Sequence, residues 1–349
     1  MACSQQSIGK SAGLPRILTN IREPRVSVAW QQQTEFRPEI IGYDGRDRKL
    51  HRSPEHILQD IIAAIRLLLV SRRYDIVVLA TGRVSSMFTM VSAVLPGKRV
   101  PILIVPCQWF TPRNPFIFLA KRIQFRLMAQ AVSKFVVWAS HEIRDYAAAF
   151  SIPEHKFLHV PHHHTLEGYE FEVTYGDYIF SGGDGNRDYT TLIKAVRGLG
   201  VRAVVATRLH NWHCNLPVPP EITAFPTDHS DFRKWMAGSK MVVVPMKKTV
   251  LHVGGEQTYL NAMAMGKPVI VADDLGAIDY IENRVNGLIV PSGDRVALRK
   301  AIKALLEDPG LAARLGSNAK KAYNVYSTTK CMERILQIAA EIVRQAHRC

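Results

Sequence analysis

The chain has 349 residues, about two domains at a typical ~150 residues each, and its apolar content of 47% is enough for two separate cores. Those figures exclude a disordered tail and a collagen-like rod. A total of 45 Lys plus Arg against 30 Asp plus Glu leaves +15, unevenly placed: residues 1–165 carry 22 basic and 11 acidic side chains, net +11, and residues 166–349 carry 23 and 19, net +4.

In chain order, the first 16 residues lack the apolar stretch of an export signal, so no export is expected. Candidate strands follow at Ile17–Asn20, Val26–Trp30 and Glu39–Tyr43. A helix is predicted from Pro54 to Ser71, then a strand at Asp75–Ala80, a helix ending at Val94, and a strand at Val100–Val105. Phe116–Val132 reads as a helix, Phe135–Ala139 as a strand and His141–Phe150 as a helix. Between His155 and Tyr175 the pattern lapses, with Pro161 and three consecutive histidines, and the domain boundary is placed at Thr165. The alternation then resumes. Predicted strands are Tyr178–Ser181, Arg202–Ala206, Met241–Val244, Pro268–Val271 and Gly287–Val290. Predicted helices are Tyr189–Leu199, Ser230–Gly238, Glu256–Met265, Gly276–Glu282, Val296–Leu306, Leu311–Tyr323 and Thr328–Gln345.

Short β-branched runs alternating with helices imply parallel sheets, so the expected class is α/β with two Rossmann-like domains facing a cleft. Ligands of such sheets bind beyond the carboxyl ends of the strands, which directs attention to the loops there. No stretch reaches the ~20 uninterrupted apolar residues of a membrane-spanning helix, because Arg66 divides one candidate and Lys121 with Arg122 another. The five cysteines, Cys3, Cys107, Cys214, Cys331 and Cys349, are odd in number and scattered, which reads as reduced thiols in a cytoplasmic protein.

The segment richest in chemistry begins at Gly254-Gly255-Glu256-Gln257-Thr258 and continues through Asn261 to Met265-Gly266-Lys267-Pro268-Val269-Ile270. A glycine pair opening a helix lets backbone approach a ligand, and the amides and dipole of the helix start form an anion site suited to a diphosphate. The same glycines also serve an ordinary capped helix. With Asp279-Tyr280-Ile281, Asn286-Gly287-Leu288-Ile289-Val290-Pro291 and Gly293-Asp294, the stretch resembles the nucleotide-sugar-binding half of glycosyltransferase family 4 (glycosyl transferases group 1), whose fold is GT-B. The resemblance covers roughly Asp177 to Tyr323. In the first half it is confined to the alternation of elements and Ser140 before a helix.

The resemblance implies a nucleoside-diphosphate sugar as donor substrate, no other cofactor, transfer with retention of anomeric configuration, and no metal. Carried over by position, Gly254, Gly255, Gln257 and Thr258 cradle the diphosphate, and Gly182 and Gly183 form the glycine-rich loop after the first strand of the donor domain. Arg187 is the cation for the phosphates, with Lys247 as a second. Asn261 stands where the family has a ribose-binding glutamate, and Val253 where it has the other carboxylate, so Glu256 is the candidate acid. Gln108 occupies the region of an orienting histidine and cannot act as a base. The implied architecture is an acceptor-side domain (1–165), a donor domain (166–327) and a C-terminal helix (328–349) crossing back.

Three adjacent histidines, His162 to His164, cannot converge on one metal and read as a hinge. His210, His213 and Cys214 have ligand-like spacing without an evident fourth ligand. In the segment after Arg113, Lys121, Arg122 and Arg126 form a basic helix side, while Leu119, Ile123 and Leu127 form an apolar side. The apolar side suits packing on the sheet, and the basic side suits an anionic membrane surface. No nucleic-acid module is recognisable, and none is expected as a partner. The expected protein is a cytoplasmic glycosyltransferase at the inner face of the membrane, acting on an envelope saccharide, a lipid-linked acceptor or a small molecule. A non-catalytic GT-B scaffold is the alternative.

Overall fold

The computed structural model describes residues 15–21, 27–36, 54–97, 99–109, 112, 114–208, 219–226, 229–248, 251, 254–272 and 275–348. Two six-stranded sheets carry the molecule. The first contains β1 (Ile17–Thr19), β2 (Thr34–Phe36), β3 (Ile76–Leu79), β4 (Ile102–Ile104), β5 (Lys134–Val137) and β6 (Phe157–His159), in the order β2-β1-β3-β4-β5-β6 with all pairings parallel. The second contains β7 (Tyr178–Gly182), β8 (Arg202–Ala206), β9 (Ile222–Phe225), β10 (Met241–Pro245), β11 (Val269–Ala272) and β12 (Leu288–Ile289), in the order β12-β11-β10-β7-β8-β9, also parallel. Strand order reverses between β1 and β3 in the first sheet and between β7 and β10 in the second. At such reversals the loops diverge and leave a crevice.

The strands are short apolar runs because both their faces are covered. Ile76 to Leu79 are all at most 1% exposed. One face of the first sheet carries α2 (Pro54–Ser71), α3 (Arg83–Val94), α4 (Pro115–Ala131) and α5 (His141–Phe150), which share a core with Trp109 at its centre. The Trp109 ring stacks on Phe125 at 3.9 Å and meets Phe135 and Phe150 edge-on. The other face carries α1 (Val28–Gln33) and the terminal α12 (Thr328–Ala346), whose Ile335, Ala339 and Ile342 join Ile17, Ile76 and Val136 in one cluster. The second sheet is covered by α6 (Tyr189–Val196) and α9 (Arg295–Glu307) on one side. On the other lie α7 (His229–Ala237), α8 (Glu256–Ala264) and α11 (Ala322–Val325). Between α9 and α11 runs α10 (Pro309–Ala319).

Several helix starts follow from capping chemistry. Asn114 accepts from the N–H groups of Phe116 and Ile117 ahead of Pro115, Asp294 caps α9, Asp308 caps α10 and Ser327 caps α12. The same chemistry corrects one expectation. Val26–Trp30, predicted as a strand, lies partly outside the described residues, and from Val28 it is helical. The Ser27 hydroxyl caps the N–H of Trp30, and the indole is buried against α12. The helix expected at Gly276–Glu282 is a single 3-10 turn, Ala277–Asp279, and the one expected at Leu311–Tyr323 breaks after Ala319. Strands β2, β6 and β9 have no counterpart in the sequence reading. Glu39–Tyr43, His210, His213, Cys214 and Val253 lie outside the described residues.

Lys267, in the Gly266-Lys267-Pro268 run, is fully buried. Its Nζ donates to Ser239 O at 2.6 Å and to Thr174 O, and lies 4.2 Å from the centre of the Tyr175 ring. Burial pushes its pKa down to about 8. A lysine depressed in the folded state holds fewer protons there than when unfolded, so stability rises with pH between about 8 and the ordinary value. The slope is at most about 1.4 kcal/mol per pH unit. Urea unfolding followed from pH 8 to pH 10 is expected to show this rise, and Lys267→Met to abolish it.

Candidate active site

A cavity of about 510 Å³ lies at the reversal point of the second sheet and faces the first. Its floor is made by the loop after β7, by the start of α8 and by Thr207 and Arg208 after β8. Gln108, Trp138, His162 and Thr165 close it from the other side. Gly255 is the N-cap of α8 at φ 101°, a left-handed conformation that favours glycine, and no side chain caps the helix. The helix start is thus turned to the cavity through Gly254, Gly255, Glu256, Gln257 and Thr258.

Arg187 ties the two loops together. It is 7% exposed. Nε donates to Gly182 O at 2.9 Å, Nη1 to Gly185 O at 2.7 Å and Met246 Sδ at 3.0 Å, and Nη2 to Thr258 Oγ1 at 3.0 Å. The guanidinium lies between two glycines: a Cβ on Gly183 would stand 2.6 Å from Nη2, and one on Gly255 3.3 Å from Nη1. Burial draws the Arg187 pKa down, against the opposing charges of Tyr189, Glu256 and Asp184. One Nη2 hydrogen remains for a ligand.

Of the residues singled out in the sequence, Gly183, Arg187, Gly254, Gly255, Glu256, Gln257, Thr258 and Asn261 line this cavity. Gly182 lies beneath it and is held close by the ring of Phe232, with which a Cβ would collide. Lys247 is not among the lining residues: its N–H bonds to Asn186 O and its side chain is exposed. Asn261 lines the cavity while its Oδ1 accepts from the N–H of Thr165 at 2.8 Å and its Nδ2 donates to the Thr165 hydroxyl at 3.2 Å. Glu256 is 5% exposed, and its charge raises the pKa of both Tyr146 of the first sheet's layer and Tyr280 of the second's, secondary in each case to burial. It lines the cavity opposite Gln108, Trp138 and His162 of the other half.

Two lining cations were missed. Arg208 stands two residues after β8 and pairs with Asp184 at 3.1 Å, and Arg233 projects from α7 with its guanidinium 3.9 Å from the centre of the Tyr169 ring. The position of Arg208 after a strand was a usable signal, whereas nothing local marks Arg233.

The three histidines separate. His162 stacks on Trp138 at 4.8 Å and lines the cavity, His163 Nδ1 lies 2.9 Å from the Thr328 hydroxyl, and His164 stacks on Tyr323 and bonds to its carbonyl at 2.8 Å. Among the described residues, no group of three or more His, Cys, Asp or Glu is arranged to hold a metal ion.

Residues 208–322 match the family model described as glycosyl transferases group 1. The matched segment lies in the second half of the chain. The chain is 24% identical over 113 residues to D-inositol 3-phosphate glycosyltransferase 1 of Catenulispora acidiphila, a stretch covering 32% of this chain and 26% of that protein. It is 37% identical over 62 residues to the capsular polysaccharide biosynthesis glycosyltransferase CapM of Staphylococcus aureus, 18% of this chain and 16% of that one. These matches thus span about a quarter or less of the curated relatives. The fold extends much further. The crystal structure of Anabaena HepE in complex with UDP-glucose superposes with a TM-score of 0.70 at 15% identity over 94% of this chain and all of that one. Sucrose-phosphate synthase from Thermosynechococcus elongatus gives 0.62 at 15% identity, covering 87% and 81%. The architecture is GT-B.

With the fold identified, the Asp279-Tyr280 pair of the matched segment is seen to be a clasp between the two halves. Asp279 accepts from the Ser140 N–H at 2.6 Å and from its hydroxyl at 2.7 Å, at the amino end of α5. The Tyr280 hydroxyl donates to Trp138 O and accepts from the N–H of His162 at 2.8 Å. In a double-mutant cycle of Ser140→Ala with Asp279→Ala, urea unfolding is expected to give a coupling of about 1 kcal/mol.

Proposed function

We propose that the protein is a glycosyltransferase that moves a sugar from a nucleoside-diphosphate sugar to a saccharide, lipid-linked or small-molecule acceptor, with retention and without a metal ion. The supporting observation is the cavity in which the uncapped start of α8 and the guanidinium of Arg187 converge at the reversal point of the second sheet. A diphosphate placed there meets helix amides, the remaining Nη2 hydrogen of Arg187, and Arg208 and Arg233 at the rim. Anabaena HepE, crystallised with UDP and with UDP-glucose, shares this fold and motivates the choice of donor class.

In the proposed reaction the bond between the anomeric carbon and the diphosphate oxygen breaks. The acceptor hydroxyl forms the new bond on the same face, and its proton passes to the departing phosphate. Donors fixed before the reaction stabilise the charge that gathers on that phosphate. Gln108, from the first half, orients without taking a proton, and Glu256 supplies the negative charge beside the sugar. The sheets approach across Trp138 and His162, which excludes water from the bond being broken. The proposed setting is the cytoplasmic side of an anionic membrane, with no nucleic acid as partner.

The scaffold alternative is favoured by the commitment of Asn261 to Thr165 in place of a ribose carboxylate. UDP, GDP and ADP, alone and as their sugars, separate the two readings. At a hundredfold excess over the dissociation constant a bound nucleotide adds about 2.7 kcal/mol, and thermal melting is expected to rise by several degrees with UDP or UDP-glucose. An absence of shift with every nucleotide overturns the transfer reading. Slow release of glucose from UDP-glucose without acceptor overturns the scaffold.

Glu256→Gln keeps the shape of the side chain and removes its charge. Turnover of the donor is expected to fall at least about 100-fold while the melting shift persists. Unchanged turnover would remove Glu256 from the mechanism.

A further inference from the structure

The inner sides of α2, α3, α4 and α5 meet in one core, through residues such as Leu67, Phe88, Phe125 and Phe150. The outer sides of the first three are apolar as well. Leu58, Ile62, Ile65 and Leu69 recur at helical spacing along α2, and Leu69 is 71% exposed. On α4, Phe116 is 81% and Ile123 60% exposed, and Val94 ends α3 at 66%. Of the twenty-one large apolar side chains exposed among the described residues, twelve lie on these three helices and a thirteenth, Leu95, directly follows α3. Scattered apolar side chains are ordinary on a surface, but a face of this breadth marks a contact.

The placement revises the reading of α4. Phe125, Met128 and Ala129 are buried toward the sheet, while Leu119 and Ile123, assigned to packing in the sequence reading, face outward. The basic side chains border an apolar surface and do not lie opposite it.

Cations predominate around this face, where α2 carries Glu55 in its first turn. Neither α3 nor α4 contains an Asp or Glu, and Asp60 of α2 is buried and paired with Arg83 at 3.0 Å. Arg72, Arg73, Arg99 and Arg126 are exposed around it. Between the carboxyl ends of α2 and α3 lies a groove of about 250 Å³ lined by Leu69, Phe88, Leu95 and Val100, with Arg72 and Arg99 among its walls. An apolar slot with two guanidiniums fits an acyl chain and the phosphate that follows it. A partner protein would have to be broadly apolar and acidic at once, a combination that an anionic lipid surface supplies everywhere.

We propose that the outer face of α2, α3 and α4 docks on an anionic phospholipid bilayer, with the α2–α3 groove taking one lipid. This rests on the membrane setting proposed above and deepens it, replacing a basic helix side by a defined three-helix face. The docked orientation also places the acceptor side at the bilayer. A second cavity of about 450 Å³, lined by Arg83 and Ser86 of α3 and by Lys121 and Gln124 of α4, shares Gln108 with the donor cavity.

The test is flotation of the full chain with vesicles of phosphatidylcholine, alone or mixed with phosphatidylglycerol. The chain is expected to rise with the mixed vesicles and at least tenfold less with phosphatidylcholine alone. The combined substitution Leu58→Asp, Leu69→Asp and Ile123→Asp is expected to lower the bound fraction at least tenfold while the melting temperature and its shift with UDP are retained. Should that variant fail to fold, Arg72→Glu with Arg99→Glu is expected to lower binding to the mixed vesicles several-fold. Raising salt from about 0.1 to about 0.5 M is expected to weaken wild-type binding, because the headgroup attraction is screened. Failure of the wild type to float with anionic vesicles overturns the proposal, as does equal flotation of the apolar variant. Conversion of a dimer to a monomer by that variant, with flotation unchanged, also overturns it and assigns the face to a second copy. A chain that floats without any UDP shift leaves docking standing and removes the transfer reading.

Discussion

A buried guanidinium has five N–H groups to satisfy, and the way Arg187 satisfies four of them sets the shape of the cavity. Its partners come from the loop after β7, from Met246 at the end of β10 and from Thr258 in the first turn of α8. Those segments flank the point where the strand order of the second sheet reverses. An arginine can occupy this crossing only because Gly183 and Gly255 have no Cβ on either side of it. Unpaired, the same charge in so dry a place would cost several kcal/mol, so the loops are held to the geometry that solvates it. The glycines and the arginine are therefore one device. Replacing either glycine displaces the cation, and removing the cation leaves the carbonyls of Gly182 and Gly185 without it.

The second constraint acts between the sheets. Asp279 lies at the amino end of α5, where a carboxylate is favoured by the helix dipole as well as by its two hydrogen bonds to Ser140. Within that helix, Glu142 accepts from the N–H groups of Trp138 and Ala139, so the turn bearing Ser140 is itself fixed. The connector after β6 adds further ties, from His162 to Tyr280, His164 to Tyr326 and Thr165 to Asn261. Asn261 thus stands at a crossing of roles. It lines the cavity, yet its amide holds the connector, and a carboxylate in its place could accept from Thr165 but could not donate to it.

How much of this was legible follows from the range of the forces involved. The alternation that defines both sheets is a local pattern, and the capped starts of α4, α9, α10 and α12 are written in residues two or three apart. The glycine pair before α8 and the glycine-rich loop after β7 could be read for the same reason. What escaped depends on distant partners. β2, β6 and β9 are short strands whose pairing is set by the neighbour they lie beside. The turn at Ala277–Asp279 replaces a helix where Asp279 and Tyr280 are both committed to the opposite half. Lys247 and Arg208 make the point for the site itself. Both stand close after strands and both are exposed, yet Arg208 pairs with Asp184 and lines the cavity while Lys247 does not line it. Chain position alone could not have separated them.

The uneven charge acquires a physical setting from the same comparison. The proposed donor cavity needs few cations, and among the described residues the three arginines that line it, Arg187, Arg208 and Arg233, all belong to the nearly balanced second half. The surplus of the first half lies away from the residues that line this cavity. Part of it surrounds the apolar outer face of α2, α3 and α4, where α3 and α4 carry no carboxylate and Asp60 is buried against Arg83. A face both apolar and positive is unfavourable in water on both counts: it leaves hydrocarbon hydrated and like charges adjacent. Each term is relieved by the same surface, one that offers hydrocarbon beneath a layer of phosphate. On the two proposed readings, the fold separates its dealings with phosphate. The donor's is met by a few buried or paired cations in a cleft, and the other by many exposed cations spread around an apolar plane.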